Sequence, residues 1–220
     1  MNFRLPYPHV ISALPDFVMG LVFLVTWIEP FALGDTLPQY LMLVMLLEFV
    51  IIHSAGFMGV AMFSGAAPGR RVLFTIGLGL FYSLFVLGFC LAFGEWWPLW
   101  TFWLLILNRL MSGIAGGSEN TEKKKLVFGI WGASVVCYLF GIFATTLMPL
   151  PEFGITPSVI TSLHLSGGGV WIEEPYRVLA FGWVYFTSVG FFELAISKWV
   201  HNVDTTGFDN AFSRMVKKQT

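Results

Sequence analysis

Charged side chains are scarce in this sequence. Asp, Glu, Lys and Arg make up 11% of its 220 residues, whereas 56% of the residues are hydrophobic. Ordinary soluble domains carry about 25% charged residues, so this chain lacks the polar groups that would cover a water-exposed surface. The formal net charge is −1, which provides no basic surface for nucleic acid. The composition therefore predicts an integral membrane protein whose first partner is the lipid bilayer and which has no nucleic-acid partner.

The motifs of common catalytic and metal sites are also missing. The sequence contains no GxSxG, GxxxxGK[ST] or HExxH pattern and no CxxC pair. Its two cysteines, Cys90 and Cys137, fall at depths that differ by about 10 Å along their predicted helices, too far for a disulfide. We therefore predict that both cysteines are small packing residues, and the sequence predicts no catalytic residue, no cofactor and no metal site.

Six apolar stretches are long enough to cross a membrane as helices, which takes about 17–25 residues each. Their continuous apolar character favours helices over the short alternating strands of a membrane barrel. The sequence thus predicts an all-α polytopic bundle with six transmembrane helices, formed by residues 1–220 as a single membrane domain. The predicted spans are residues 10–31, 37–64, 72–93, 97–115, 126–148 and 178–199.

Lys and Arg side chains concentrate in the connections on one side of these spans. Arg70 and Arg71 lie between spans two and three, and residues 123–125, all Lys, lie between spans four and five. The opposite side carries only Arg177, where span six begins. Basic loops stay on the cytoplasmic side of a membrane. We therefore predict a bacterial inner or plasma membrane protein with both termini in the cytoplasm and the 149–176 connection outside.

That outer connection is the longest in the chain and allows two interpretations. Thr156 followed by Pro157 is typical of a helix start, with Thr as the N-cap and Pro in the first turn, and Gly167 would end this helix. The alternative is a hairpin in which two short strands are joined by the SGGG sequence. The short helix is the preferred interpretation.

The second span, within residues 37–65, carries two ionisable residues far from its ends, Glu48 and His53. A carboxylate at this depth costs a few kcal/mol or more unless it is neutralised, paired or hydrated. Ala55 and Gly59 share the Glu48 face and have the small-xxx-small spacing of closely packed membrane helices. This face should look into the bundle, whereas His53 lies about 140° away around the helix.

Other polar residues fall inside the predicted spans. Arg109 and Glu193 lie at similar predicted depths in the inner half, where an ion pair would neutralise two costly charges. Arg109 could instead extend towards the cytoplasmic headgroups. A proton relay or cation site at Glu48 would need a second polar group at the same depth, for which His53 and Asn108 are candidates. One intramembrane histidine cannot supply the paired axial ligands of a b-type haem.

Three classes of function remain open from the sequence. The preferred hypothesis is a non-catalytic membrane or assembly component, with other membrane subunits as further partners, because nothing catalytic is visible and the loops are short. The first alternative is a small-solute or proton-coupled transporter that uses Glu48. The second alternative is a membrane-embedded enzyme that acts on a lipid or quinone-like substrate, so enzymatic activity is uncertain but not favoured.

Overall fold

A computed structural model describes residues 8–62, 64, 66–114, 121–165 and 168–195. All regular secondary structure in these residues is helical. Six long helices are separated by loops and by two short helices, α6 and α7, in the 149–176 connection. The elements are α1 Pro8–Ile28, α2 Leu37–Met62, α3 Pro68–Phe93, α4 Trp97–Ile114, α5 Thr121–Leu147, α6 Pro157–Ser162, α7 Val170–Glu173 and α8 Pro175–Ala195.

Four of the long helices are long and apolar enough to cross a membrane. α1 adds a shorter apolar segment, Ala13–Ile28. The all-helical class is thus confirmed for the described residues, and these apolar helices indicate a membrane protein. The count of six crossings stays a prediction. The four candidate spans are Leu37–Ala61, Pro68–Phe93, Phe128–Leu147 and Pro175–Ala195.

α2 is the central helix of the bundle: its apolar side chains belong to two separate hydrophobic clusters. One cluster joins α2 to α3 and α4, and the other joins it to α1, α5 and α8. The first contains Leu47, Val50, Met58, Val86, Cys90, Phe102 and Ile106. The second includes Phe23, Met42, Met45, Ile52, Cys137, Tyr138, Phe181 and Tyr185. Both cysteines are buried and free, in agreement with the predicted packing role.

Close packing in this bundle depends on glycines. A Cβ atom added to Gly182 of α8 would collide with the ring of Phe23 in α1. On α2 the tightest approach is at Gly56, where an added Cβ would lie 2.5 Å from the Trp131 ring of α5. The predicted packing residues Ala55 and Gly59 are partly buried, and an added Cβ at Gly59 would make an ordinary 3.8 Å contact with Phe128. Small residues therefore let α1 approach α8 and α2 approach α5.

The 149–176 connection packs over one end of the bundle. The indole nitrogen of Trp27 donates to the carbonyl of Pro151 over 3.1 Å, and Gln39 donates to the carbonyl of Leu163. Ile155 is fully buried beneath this connection. The connection is therefore part of the folded unit and covers the ends of α1 and α2.

The predicted start of the short helix in this connection is confirmed. α6 begins at Pro157 with Thr156 as its N-cap residue, but it ends at Ser162, before the predicted stop at Gly167, which lies outside the described residues. The hairpin alternative is wrong for the described part of this connection. Its second expected strand instead contains the helical turn Val170–Glu173.

Arg177, near the start of α8, caps the end of α5. Its Nη1 donates to the carbonyl oxygens of Thr145, Thr146 and Met148 over 2.8, 3.2 and 3.0 Å. The last carbonyls of a helix have no partners within that helix. The Arg177 guanidinium also pairs with Glu174, so it joins α5, α8 and the loop before α8.

Candidate functional site

Four polar side chains on four helices form the candidate site, which we call the core polar cluster: Asp16 on α1, Glu48 on α2, Arg109 on α4 and Tyr185 on α8. At about 1.5 Å per residue, they lie roughly 15–18 Å from the helix ends on the side of the 149–176 connection. A hydrocarbon core is about 30 Å thick, so this depth is near its middle. The cluster therefore occupies the level where polar groups are most costly.

Tyr185 and Glu48 make the direct contact within this cluster. The Tyr185 hydroxyl donates to Oε1 of Glu48 over 2.6 Å. This length is typical of an O–H group that donates to a carboxylate. Tyr185 is 1% exposed, and Glu48 is partly buried. Ser134 of α5 adjoins the Tyr185 hydroxyl, so polar groups from α2, α5 and α8 meet here.

Arg109 supplies positive charge near this contact. It is partly buried, and its Nη1 lies 3.4 Å from the sulfur of Met58 on α2. Glu48 and Arg109 act on each other electrostatically without a direct ion pair. An arginine at this position compensates a negative charge on Glu48, while the Tyr185 hydroxyl can donate to either protonation state of the acid. The arrangement can therefore hold Glu48 either charged or neutral.

The predicted ion pair between Arg109 and Glu193 is wrong for this structure. No described carboxylate oxygen lies within 4.0 Å of the Arg109 guanidinium. Glu193 Oε2 is buried and has no hydrogen-bond partner among the described residues. The reason is depth: α8 begins at Pro175, three residues before the predicted start, which places Glu193 about 27 Å along the helix and Arg109 about 18 Å along its own.

Asp16 and Tyr185 also belong to the cluster, although neither was predicted from the sequence as a site residue. Asp16 is partly buried and acts electrostatically on Glu48 and on Glu193. The signal for Asp16 was an acidic residue inside an apolar stretch, just after Pro15. The signal for Tyr185 was weaker, since it required the depths of α2 and α8 to be compared.

The other predicted polar residues, His53 and Asn108, are exposed. His53 is exposed on a different face of α2, as the helical geometry predicted, and its Nδ1 lies 3.0 Å from the carbonyl oxygen of Phe49. Asn108 is exposed on α4, next to Arg109 in sequence. The structure therefore brings Tyr185 to Glu48, while His53 faces a groove between α2 and α5.

Three cavities lined by described residues lie outside the core polar cluster. Two lie in the groove between α2 and α5, and a third lies beside Gln39 and His164; Glu48 lines none of the three. Within the described ranges, no three or more His, Cys, Asp and Glu side chains are grouped so that they could hold a metal ion. No family model, no curated protein and no solved structure matches this chain.

Proposed function

We propose that this protein is a non-catalytic component of a bacterial inner or plasma membrane, either alone in lipid or assembled with other membrane subunits. In this proposal all six long helices cross the bilayer and both termini are cytoplasmic. The polar interactions of the core polar cluster stabilise the arrangement of α1, α2, α4 and α8 relative to one another.

The hydrogen bond between Tyr185 and Glu48 carries this proposal. It gives the acid a fixed partner from another helix. A carboxyl group held in this way contributes to helix association. A transport site would instead need to bring Glu48 into contact with water. The structure therefore favours a structural role for this acid.

The outer faces of the helices fit the same role. α3 exposes a row of large apolar side chains, including Leu73, Leu84 and Leu91, each about 70% exposed in the isolated chain. Such a face is compatible with lipid chains or with the apolar helix of another subunit. Lipid and further membrane subunits are therefore the partners that this proposal expects.

Proton flux into proteoliposomes tests the structural proposal. The purified protein and its Glu48→Gln variant would be reconstituted at equal density, a potassium gradient would set the membrane voltage, and an internal pH dye would report flux. We expect both proteins to remain folded and both vesicle samples to stay as impermeable to protons as protein-free vesicles. Glu152→Gln, in the exposed part of the outer connection, is the matched control. Proton flux through the wild type that is absent in Glu48→Gln would overturn the structural proposal.

A proton-coupled carrier is the second candidate, and one observation favours it. The acids Asp16, Glu48 and Glu193 extend from the middle of the bundle to its inner side, and Glu193 Oε2 is buried without a described hydrogen-bond partner. In a carrier, Glu48 would change charge during each cycle. Glu48→Asp should then keep a reduced activity with an altered pH dependence, whereas Glu48→Gln should abolish it.

A further inference from the structure

A groove runs along the lipid side of the junction between α2 and α5. It consists of two adjoining cavities of about 340 and 60 Å³ that share three lining residues. The larger volume falls within the roughly 300–1,000 Å³ that is usual for small-molecule sites. The walls are almost entirely apolar, and they are strongly aromatic on both sides of His53. The aromatic lining residues are Phe49 and Tyr138 on one side and Phe57, Phe128 and Trp131 on the other.

Trp131 and Gly56 maintain the shape of this groove. The Trp131 indole nitrogen donates to the carbonyl of Ile52 over 2.9 Å and thereby ties α5 to α2. The missing side chain at Gly56 leaves room for the Trp131 ring. Because the indole N–H is already used, Trp131 presents to the groove an aromatic surface and no free donor.

His53 supplies the polar group of the groove. Its Nδ1 lies 3.0 Å from the carbonyl oxygen of Phe49. A carbonyl oxygen can only accept, so in the neutral ring Nδ1 carries the proton and Nε2 keeps a lone pair. The residue is exposed and lines both cavities, so Nε2 is the ring nitrogen left to accept a hydrogen bond from a ligand. The ligand that complements it is a hydrogen-bond donor.

The depth of His53 restricts the source of that donor. The residue lies about 24 Å from the start of α2 and about 14 Å from its end, inside the hydrocarbon region. Phospholipid headgroups stay at the interface, so their donors do not reach this level. The matching ligand must carry its donor group into the bilayer interior.

We propose that the groove between α2 and α5 binds a membrane-soluble hydroquinone. The aromatic ring packs among Phe57, Phe128 and Trp131, one hydroxyl group donates to Nε2 of His53, and the apolar tail leaves the groove between lipid chains. Aromatic rings gain from edge and offset contacts beyond the burial of area alone. The proposal concerns binding and does not depend on whether the core polar cluster has a structural or a transport role.

A matched pair of ligands tests this proposal on the unaltered protein. A radiolabelled decyl-substituted hydroquinone and its dimethyl ether share the ring and the tail, but the ether has no hydroxyl donor. Their dissociation constants would be measured for the full-length protein in phosphatidylcholine nanodiscs under reducing conditions. We expect the hydroquinone to bind roughly tenfold more tightly, the effect of one hydrogen bond in an apolar site. Equal affinities for the two ligands would overturn the proposal.

Two variants locate the hydrogen bond. His53→Phe keeps an aromatic ring but removes the acceptor, so the preference for the hydroquinone should disappear while the affinity for the ether stays the same. Tyr82→Phe removes a hydroxyl group from α3, outside the groove, and should keep the tenfold preference. A preference that survives in His53→Phe would place the donor contact elsewhere and refute the proposed site.

A lipid acyl chain is the other possible occupant of the groove. Competition with palmitate distinguishes it from a hydroquinone. If the groove recognises a hydroxylated ring, palmitate at the same concentration should displace little of the bound hydroquinone. Displacement as effective as that by unlabelled hydroquinone would identify an acyl-chain groove and overturn the proposal. Because the ligand comparison and the competition use the wild type, the outcome does not depend on the folding of any variant.

Discussion

The hydroxyl oxygen of Tyr185 lies 2.6 Å from Oε1 of Glu48, although the two residues are 137 positions apart in the chain. The contact joins α8 to the central helix α2 at about the middle of the bundle. It provides a specific hydrogen-bond partner for Glu48, whose burial in an apolar helix is energetically unfavourable. The surrounding packing, in which Tyr185 is 1% exposed, holds that partner in place.

Tyr185→Phe should therefore destabilise the bundle by about 0.5–1.7 kcal/mol, because it removes an interhelical hydrogen bond and changes little volume. Glu48→Gln should cost less, since the amide oxygen still accepts from Tyr185. Unfolding in mixed micelles measures both effects. The double variant should be less destabilised than the sum of the single variants. Simple additivity would contradict the contact, and Tyr82→Phe is the control for loss of a tyrosine hydroxyl.

Arg109 should be coupled to Glu48 and not to Glu193. Arg109→Gln removes the positive charge near Glu48, so its cost should fall by about 0.5–3 kcal/mol when Glu48→Gln is present. The combination with Glu193→Gln should be additive within about 0.3–0.5 kcal/mol. Chemical unfolding of the three single variants and the two double variants provides both coupling energies. A larger coupling to Glu193 would restore the pair predicted from the sequence.

The Glu174–Arg177 contact lies outside the membrane-spanning segments and should make the stability of the protein depend on pH. The hydrogen bond from Arg177 lowers the pKa of Glu174 from its ordinary value of 4.5. A lowered folded-state pKa gives stability that is present above about pH 4.5 and is lost as the pH falls through the folded pKa. NMR titration of the Glu174 carboxyl in micelles should show a midpoint below 4.5. In Arg177→Leu the midpoint should rise towards 4.5, and an unchanged midpoint would contradict the contact.

Two glycines should respond to alanine in opposite directions. In Gly182→Ala the new methyl group would meet the fully buried ring of Phe23, so overpacking should cost about 1–3 kcal/mol. Gly132 on α5 has nothing within 4 Å of an added Cβ, and Gly132→Ala should stabilise by up to about 1 kcal/mol through helix propensity. Thermal unfolding in detergent compares the two variants. Equal effects would contradict the close packing of α1 on α8.

The proposed orientation can be tested with single cysteines. Lys124→Cys should react with an impermeant maleimide only after the cells are permeabilised. Ser158→Cys, on the exposed side of α6, should react in intact cells. The native Cys90 and Cys137 are buried, so the unmodified protein serves as the background control. Labelling of Lys124→Cys from outside would reverse the orientation.

Helix positions could be predicted from apolar runs, but the starts of α3 and α8 could not. The predicted span 97–115 matches α4, which covers Trp97–Ile114. The span 72–93 was placed too late, because α3 begins at Pro68 and includes Arg70 and Arg71 in its first turns. Hydropathy identifies only the apolar part of a helix. The helix itself can begin earlier, among polar residues, because proline is favoured in the first turn. The same error at α8 led to the Arg109–Glu193 prediction.

The site was predictable only in part. Glu48 was identified because a carboxyl group deep in an apolar helix is costly whatever surrounds it. Its partner Tyr185 was not, because the rotation of α8 about its axis decides which residue faces α2. That rotation follows from packing at Gly182 and Gly141, where added Cβ atoms would meet Phe23 and Phe181. Such complementarity depends on several helices together and is not visible in one of them.

The two apolar clusters around α2 become available at different times during synthesis. The cluster with α3 and α4 is complete once Ile106 has been made, whereas the cluster with α1, α5 and α8 needs Val189. At roughly 5–20 residues per second, the ribosome reaches Tyr185 about 7–27 s after Glu48. During this interval Glu48 is without its hydroxyl partner, and Arg109 arrives first. The apolar side of α2 that faces α1, α5 and α8 in the finished protein therefore stays without its full set of contacts until the last helix has been made.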